Sequence, residues 1–362
     1  MATPTLKDML DWPEPNYDNP REPLDPVIYG VNIPLMVLMT AFVGGRFLSR
    51  TYLVRNALGA DDWTMLIAYV LAMAMSACQL VEPRYGIGRH LYDVRQEWYP
   101  HLGKLTVAVQ ALFAPCSAIT KISICLTYLR LFPSRTNKWF NYISIAILTG
   151  FGISTTVGML VQCIPLSDIW AVFKPYSEKQ CIDSKKFFIA VAAMNSITDF
   201  MVYLWPIHYL WKVKLSLPKR IGLIVCFGLG VLICIAGIIR ITWQTKFANS
   251  WDQTYNGAII FIIVAVECNL GVVCGCLPGV RPLMSKIFPG LTSSTFNSGR
   301  GKSSHVQITS GLRSGNDFQD LRSIHVRKDV ELSVVNKSAN ERWDRPQNPA
   351  GRSDSEEWIF RP

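Results

Sequence analysis

The chain predicts an all-α polytopic membrane protein, a seven-transmembrane helix bundle followed by a disordered carboxyl-terminal tail. Three observations carry this. Half of the 362 residues are hydrophobic and only 17% are charged, below the roughly 25% of an ordinary soluble domain. The apolar residues are concentrated between 27 and 280, in long runs separated by short polar stretches. Those runs number seven, and each holds about 20 residues or more, enough to cross a hydrocarbon core of roughly 30 Å as a helix. A β-barrel would need segments of about ten residues alternating in polarity, and none occur. An ordinary soluble enzyme is excluded.

The elements follow in order. Residues 1–26 form an extracellular segment with six acids (Asp8, Asp11, Glu14, Asp18, Glu22, Asp25) among several prolines. It lacks the apolar core of a cleavable signal, so the first span acts as its own insertion signal. The spans run 27–49, 63–82, 104–129, 140–161, 187–211, 221–243 and 257–279. Pro34, Pro115 and Pro206 bend or loosen three of them. Gly150, Ser154 and Gly158 recur every four residues on the fourth, a stripe for close helix approach within the bundle or in a dimer. The seven-helix domain covers 27–285. Residues 286–362 are rich in Ser, Asn, Arg, Asp and Gly without a sustained period, which reads as a disordered cytosolic tail.

The net charge of +10 suggests a nucleic-acid binder at first sight, but the basic residues lie in short loops and the tail, not in a stripe on a soluble domain. No nucleic-acid partner is expected; the lipid bilayer is. Two loops contain no acid: 130–139, with Arg130, Arg135 and Lys138, and 212–220, with Lys212, Lys214, Lys219 and Arg220. By the positive-inside rule the amino terminus is outside and the tail cytosolic; the plasma membrane is the expected location. These basic loops contact a cytosolic partner, a G protein being one candidate, or serve as topology signals and anionic-lipid contacts. Cys163 and Cys181 share an outer loop in an oxidising compartment and are expected to form a disulfide. The other eight cysteines lie in spans as reduced packing residues.

Ionisable residues within spans are functional-site candidates by default. Lys121 lies on the third helix, Asp199 on the fifth with Asn195 four residues earlier on the same face, Arg240 on the sixth and Glu267 on the seventh. They form either a polar cavity that binds a ligand or switches state, or a set of pairs, Lys121 with Asp199 or Glu267, that only fixes helix register. The seventh span has no lysine, so a retinal Schiff base is not expected. His208 is alone among the histidines in falling within a span, which leaves a membrane zinc hydrolase without ligands. Asp61-Asp62 lacks the second acidic cluster of a prenyl-diphosphate enzyme. It reads as a solvated helix start, with Asp62 capping before Trp63. Gly86-Ile87-Gly88 is too short for a phosphate loop. No catalytic residue, metal or cofactor is expected.

Several segments together resemble the fungal rhodopsin-domain integral membrane family, which includes receptor-like proteins and a satratoxin-cluster membrane protein. They are Leu58-Gly59-Ala60-Asp61-Asp62-Trp63, Tyr85-Gly86-Ile87-Gly88-Arg89-His90, and Lys121-Ile122-Ser123-Ile124 leading to Tyr128-Leu129-Arg130-Leu131-Phe132. Cys163-x-Pro165 with Trp170, Cys181-Ile182-Asp183, Asn195-x-x-x-Asp199 with Trp205-Pro206-Ile207, and Arg240 follow. Glu267-x-Asn269, Cys276-Leu277-Pro278 and Arg281-Pro282 complete the series. Their order spans 55–285, and the resemblance adds Asn269 to the polar core. It implies a fungal receptor-like membrane protein, without retinal or light sensing, and a link to secondary metabolism. The expected function is sensing a small extracellular ligand and signalling inward. The alternative is an accessory or transport protein of a metabolite cluster.

Overall fold

The computed structural model describes residues 12–17, 20–53, 58–169, 180–212 and 217–287, and among these the side chains of all but 206–223 and 284–287. The tail expected beyond 287 and Lys214 lie outside the described residues, as do the side chains of Lys212, Lys219 and Arg220. Seven helices long and apolar enough to cross a membrane occupy the described residues.

α1 (Asp25–Leu48) begins where Pro26 presets the first turn with Asp25 beside it, and runs on into a wider turn over Ser49–Leu53. α2 (Ala60–Val81) starts at Gly59, whose backbone N–H donates to Asp62 Oδ2 at 3.1 Å. A short turn, Glu82–Tyr85, ends α2 and leads to Gly86 and Gly88, at φ +99° and +85°. Both lie in the left-handed region where a side chain is strained. At Gly86 a Cβ would also stand 2.8 Å from Val94. The pair of glycines therefore shapes a turn.

α3 (Tyr99–Leu131) contains Pro115 in its interior and ends where Phe132 N–H returns to the Tyr128 carbonyl. α4 (Arg135–Leu160) is capped by Ser134, whose hydroxyl accepts from Asn137 N–H at 3.2 Å. The Cys163–Cys181 disulfide closes the next connection, flanked by two backbone hydrogen bonds, Ile164 N–H to Gln180 and Ile182 N–H to Gln162. α5 (Ser184–Lys212), α6 (Leu217–Asn249) and α7 (Gln253–Ile287) complete the bundle.

The helices differ in how far they are enclosed. About 72% of the apolar window of α7 and 61% of that of α3 is buried, against 22% for α1 and 28% for α4. α3 and α7 therefore form the centre. One apolar cluster joins α1, α2, α3 and α7 through Met39, Met65, Met75, Phe113 and Val272. A second joins α3 to α7 through Ile124, Leu148, Val202 and Ile233. Large apolar side chains such as Val37, Ile67 and Ile153 point outward, as a hydrocarbon surrounding requires.

Of the two uses expected for the small-residue stripe on α4, packing within the bundle holds at Gly158 alone. Gly150 faces open space and Ser154 is exposed, whereas Gly158 packs on Phe187 of α5. The close approach to α3 is made at Gly152, where a Cβ would stand 2.9 Å from that of Ala118. A four-residue repeat of small residues does not reveal which helix face turns inward.

The disulfide end also carries the folded amino-terminal segment. Buried Asp93 accepts backbone N–H groups of Asn16 and Arg21, at 2.9 and 3.4 Å. Trp12 packs against Tyr92 and Trp251, and His90 Nδ1 meets Asp252 Oδ2.

Candidate functional site

Two helical spacings build the central site. On α3, Ser117 and Lys121 are four residues apart, and on α5 so are Asn195 and Asp199, so each pair shares a face. The faces meet inside the bundle. Lys121 Nζ lies 2.9 Å from Asp199 Oδ1, 2.9 Å from Asn195 Oδ1, 2.9 Å from Thr198 Oγ1 and 3.1 Å from the Asn195 carbonyl.

Asn195 is the hub. Its Oδ1 accepts from Lys121 and from Ser117 Oγ, at 2.8 Å for the latter. Its Nδ2 donates to Asp199 Oδ2, at 3.0 Å, and to Glu267 Oε1 on α7. Both amide protons and both acceptor sites are therefore used, which orients the amide without ambiguity.

Arg240 adds α6. Its Nε stands 3.5 Å from Glu267 Oε2, its Nη2 donates to the Ala192 carbonyl at 3.3 Å, and its guanidinium lies 4.7 Å from the Phe113 ring centre. Arg240 Nε and Glu267 Oε2 lack a hydrogen bond of good geometry, as does Asp199 Oδ1, which Lys121 meets only as an ion pair. The cluster thus joins two cations with two anions, bonded closely on the Lys121–Asp199 side and loosely on the Arg240–Glu267 side. All four side chains are buried. In a low-dielectric site, removing one partner of such a pair costs about 3–5 kcal/mol, because the other is left uncompensated.

A cavity lined by Ser117, Lys121, Asp199, Tyr203, Glu267 and Gly271 adjoins the cluster. Its volume, about 10 Å³, is room for one water molecule. Gly271 sits against the Tyr203 hydroxyl, 3.2 Å from where a Cβ would be. In this conformation the polar core is closed to anything of metabolite size.

Of the expected core residues, Lys121, Asn195, Asp199, Arg240 and Glu267 meet. Asn269 does not: it lies on another face of α7, with Nδ2 donating to Ser76 Oγ of α2 and to the Ala265 carbonyl. Of the basic-loop residues, Arg135 and Lys138 are exposed at the start of α4, and Arg130 reaches Asp61 Oδ1 at 3.4 Å.

A second charged cluster lies at the end opposite the disulfide. The solvated reading of Asp61-Asp62 is overturned: the two residues are 4% and 0% exposed. The cap is also corrected: the N-cap is Gly59, and Asp62 lies inside the first turn, accepting from the Gly59 N–H. The carboxylates face Arg46, which is fully buried. Arg46 Nη2 meets Asp61 Oδ2 and its Nε meets Asp62 Oδ1, both at 2.7 Å, while Nη1 donates to the Gly275 carbonyl of α7 at 2.6 Å. Arg50 approaches both acids more loosely, at 3.5 and 3.8 Å. Arg46 sits inside an apolar run, so hydropathy absorbs it into the span. The available signal was opposite charge on both sides of a short helix–helix connection, which folds Arg46 back onto Asp61 and Asp62.

Seven membrane-spanning helices around a buried, charge-balanced polar core define a multi-pass integral membrane protein of the seven-helix type. The chain belongs to the fungal rhodopsin domain family, whose model matches residues 45–286. It is 26% identical to an SAT4 family membrane protein of Emericella nidulans, over 68% of this chain and 63% of that protein. A protein named Receptor GIN3 from Arthrobotrys oligospora is 23% identical over 77% of this chain and 70% of its own length. The Satratoxin biosynthesis SC1 cluster protein 4 of Stachybotrys chartarum is 24% identical over 59% and 78%. No solved structure matches the chain.

Proposed function

We propose that this chain is a receptor-like protein of the plasma membrane, with its amino terminus outside and its tail in the cytosol. Its bundle responds to a small extracellular ligand and signals to a cytosolic partner of the G-protein kind. The observation that carries this reading is the asymmetry of the central cluster. On the Lys121–Asn195–Asp199 side the ion pair closes to 2.9 Å and Asn195 uses all its bonding positions, whereas Arg240 and Glu267 stand 3.5 Å apart with Nε and Oε2 unsatisfied. A buried pair that is incompletely bonded favours a second arrangement reached by a small shift of α6 or α7, and a ligand acts by preferring one arrangement. The water-sized cavity supports switching over resident binding, because a metabolite would have to part the helices. The orientation rests on two features at opposite ends. The disulfide suits an oxidising compartment, and the acid-free basic segments 130–139 and 212–220 suit the cytosolic side.

The test is guanine-nucleotide exchange in membranes that contain a fungal Gα and either the wild type or Glu267→Gln, matched for surface expression. The variant is expected to change basal exchange by about fivefold or more, the lower end of ordinary allosteric coupling. Rates indistinguishable from wild type, and from membranes lacking the chain, would sink the signalling reading. A second reading, an accessory or transport protein of a metabolite cluster, is favoured by the relatives named for biosynthesis clusters.

A further inference from the structure

We infer that Arg46, Asp61, Asp62 and Arg130 form a charge latch that holds the end of α7 against α1 and α2, on the side opposite the disulfide. The inference is independent of any ligand or signalling partner. It begins with α7 itself. Pro278 and Pro282 lie inside the helix. Each lacks an N–H and so frees a carbonyl one turn earlier, that of Cys274 in the case of Pro278. Gly271, Gly275 and Gly279 fall in the same stretch, where glycine weakens a helix by roughly 1 kcal/mol each relative to alanine. This part of α7 is therefore weak in its own bonding and depends on its neighbours.

Those neighbours are specific. Arg46 lies across the helix where glycine leaves room: a Cβ at Gly279 would stand 2.8 Å from Arg46 Cγ. Its Nη1 donates to the Gly275 carbonyl, and the freed Cys274 carbonyl is approached by Cys226 Sγ at 3.9 Å. Gly279 thus seats the arginine stem, while Gly275 makes room for Met65 and Ile124 and offers Arg46 its carbonyl, a different use from helix dimerisation. Arg46 is in turn held by both acids of α2, and Asp61 is shared with Arg130 of α3 at 3.4 Å. Ser123 of α3 fastens the same turn through its hydroxyl on the Asp61 carbonyl, at 2.6 Å. One guanidinium therefore ties α1 to α2 and α7, and Asp61 extends the tie to α3.

The arrangement is built to open from one side. Arg46 is fully buried, but the Arg130 side chain is 43% exposed, so water, ions and other charged groups reach it. Three arginines, counting Arg50, face two aspartates, which leaves one cation in excess at the edge of the cluster. An outside acid can take Arg130 without leaving Asp61 uncompensated. Removing the charge of Asp61 loosens Arg46 on its α2 side, and the glycine- and proline-bearing end of α7 then separates.

Native cysteines report the motion. Cys276 is buried against Arg46 on α7, whereas Cys116 and Cys268 are buried near the middle of the bundle. The experiment is the rate of labelling of the full chain in nanodiscs by a membrane-impermeant maleimide, mapped by mass spectrometry. In Asp61→Asn, Cys276 is expected to label about tenfold faster than in the wild type, a 1.4 kcal/mol change in opening, while Cys116 and Cys268 keep their wild-type rates. Arg130→Gln removes the α3 side-chain tie to Asp61, so that the Arg46–Asp61 contact loses its lateral support; it serves if Asp61→Asn does not fold, with a smaller, local acceleration at Cys276 expected. Unchanged Cys276 labelling in the variants that fold would overturn the latch. So would acceleration of all three cysteines together, which would make the cluster a support of the whole fold.

Discussion

At the scale of single residues, Asn195 decides how the central cluster holds together. Its amide contacts Lys121, Ser117, Asp199 and Glu267 at once, so no other side chain of its size satisfies the same four groups. The charges themselves are separable from this geometry. Lys121→Met or Asp199→Leu alone strands a buried partner, and each is expected to destabilise the bundle by about 3–5 kcal/mol. The double variant removes both charges and is expected to lose less than the sum of the single losses by about 1–3 kcal/mol. Unfolding midpoints in one detergent measure this, and strict additivity would mean that the pair contributes nothing as a pair. The sequence made this half readable, since a lysine, an asparagine and an aspartate in apolar runs have few roles and the four-residue spacing puts Asn195 and Asp199 on one face. It did not reveal Arg46, which the hydropathy of α1 outweighs. Nor did it show that Asp61 and Asp62 face inward, because their burial depends on a partner from another helix.

At the scale of helices, glycines set the distances between neighbours. A side chain at Gly152 would press on Ala118 of α3, whereas Gly150, two residues away, meets nothing within 4 Å. Gly152→Val is therefore expected to cost about 1–3 kcal/mol through overpacking, and Gly150→Ala to stay within about 0.5 kcal/mol. Thermal unfolding of the two variants in identical nanodiscs checks the contrast, and equal losses would contradict the assigned face. The seven helices themselves were legible because twenty consecutive apolar residues have one stable form in a bilayer. The inward face of α4 was not, since a helix surrounded by lipid is apolar on every side and loses the periodic signal that marks the buried face of a soluble helix. The turn at Gly86 and Gly88 was visible as a glycine pair, but not the left-handed backbone that gives the pair its purpose.

At the scale of the whole molecule, the receptor and accessory readings separate in the living cell. A strain lacking the gene is expected, on the receptor reading, to keep the same partition of metabolites between cells and medium as its parent. A product lost from the medium and retained in the cells would favour transport instead. Helix number and the presence of the disulfide were foreseeable from composition and loop position. The folding of the amino-terminal segment onto Asp93 was not, because Asn16 and Arg21 bind through backbone N–H groups that every residue carries. The separation of Lys121 from its partners also has a consequence in time. Arg46 precedes Asp61 by 15 residues, which a ribosome adding roughly 5–20 residues per second supplies in about 1–3 s. Lys121 precedes Asn195 by 74 residues, an interval of about 4–15 s at the same pace. A lone lysine at mid-helix costs about 2.5–3.5 kcal/mol to insert, so α3 must be sheltered beside the insertion machinery until α5 emerges. Birth of the protein is thereby split into two acts: the arginine cluster assembles on the first hairpin, and the lysine cluster waits for the fifth helix.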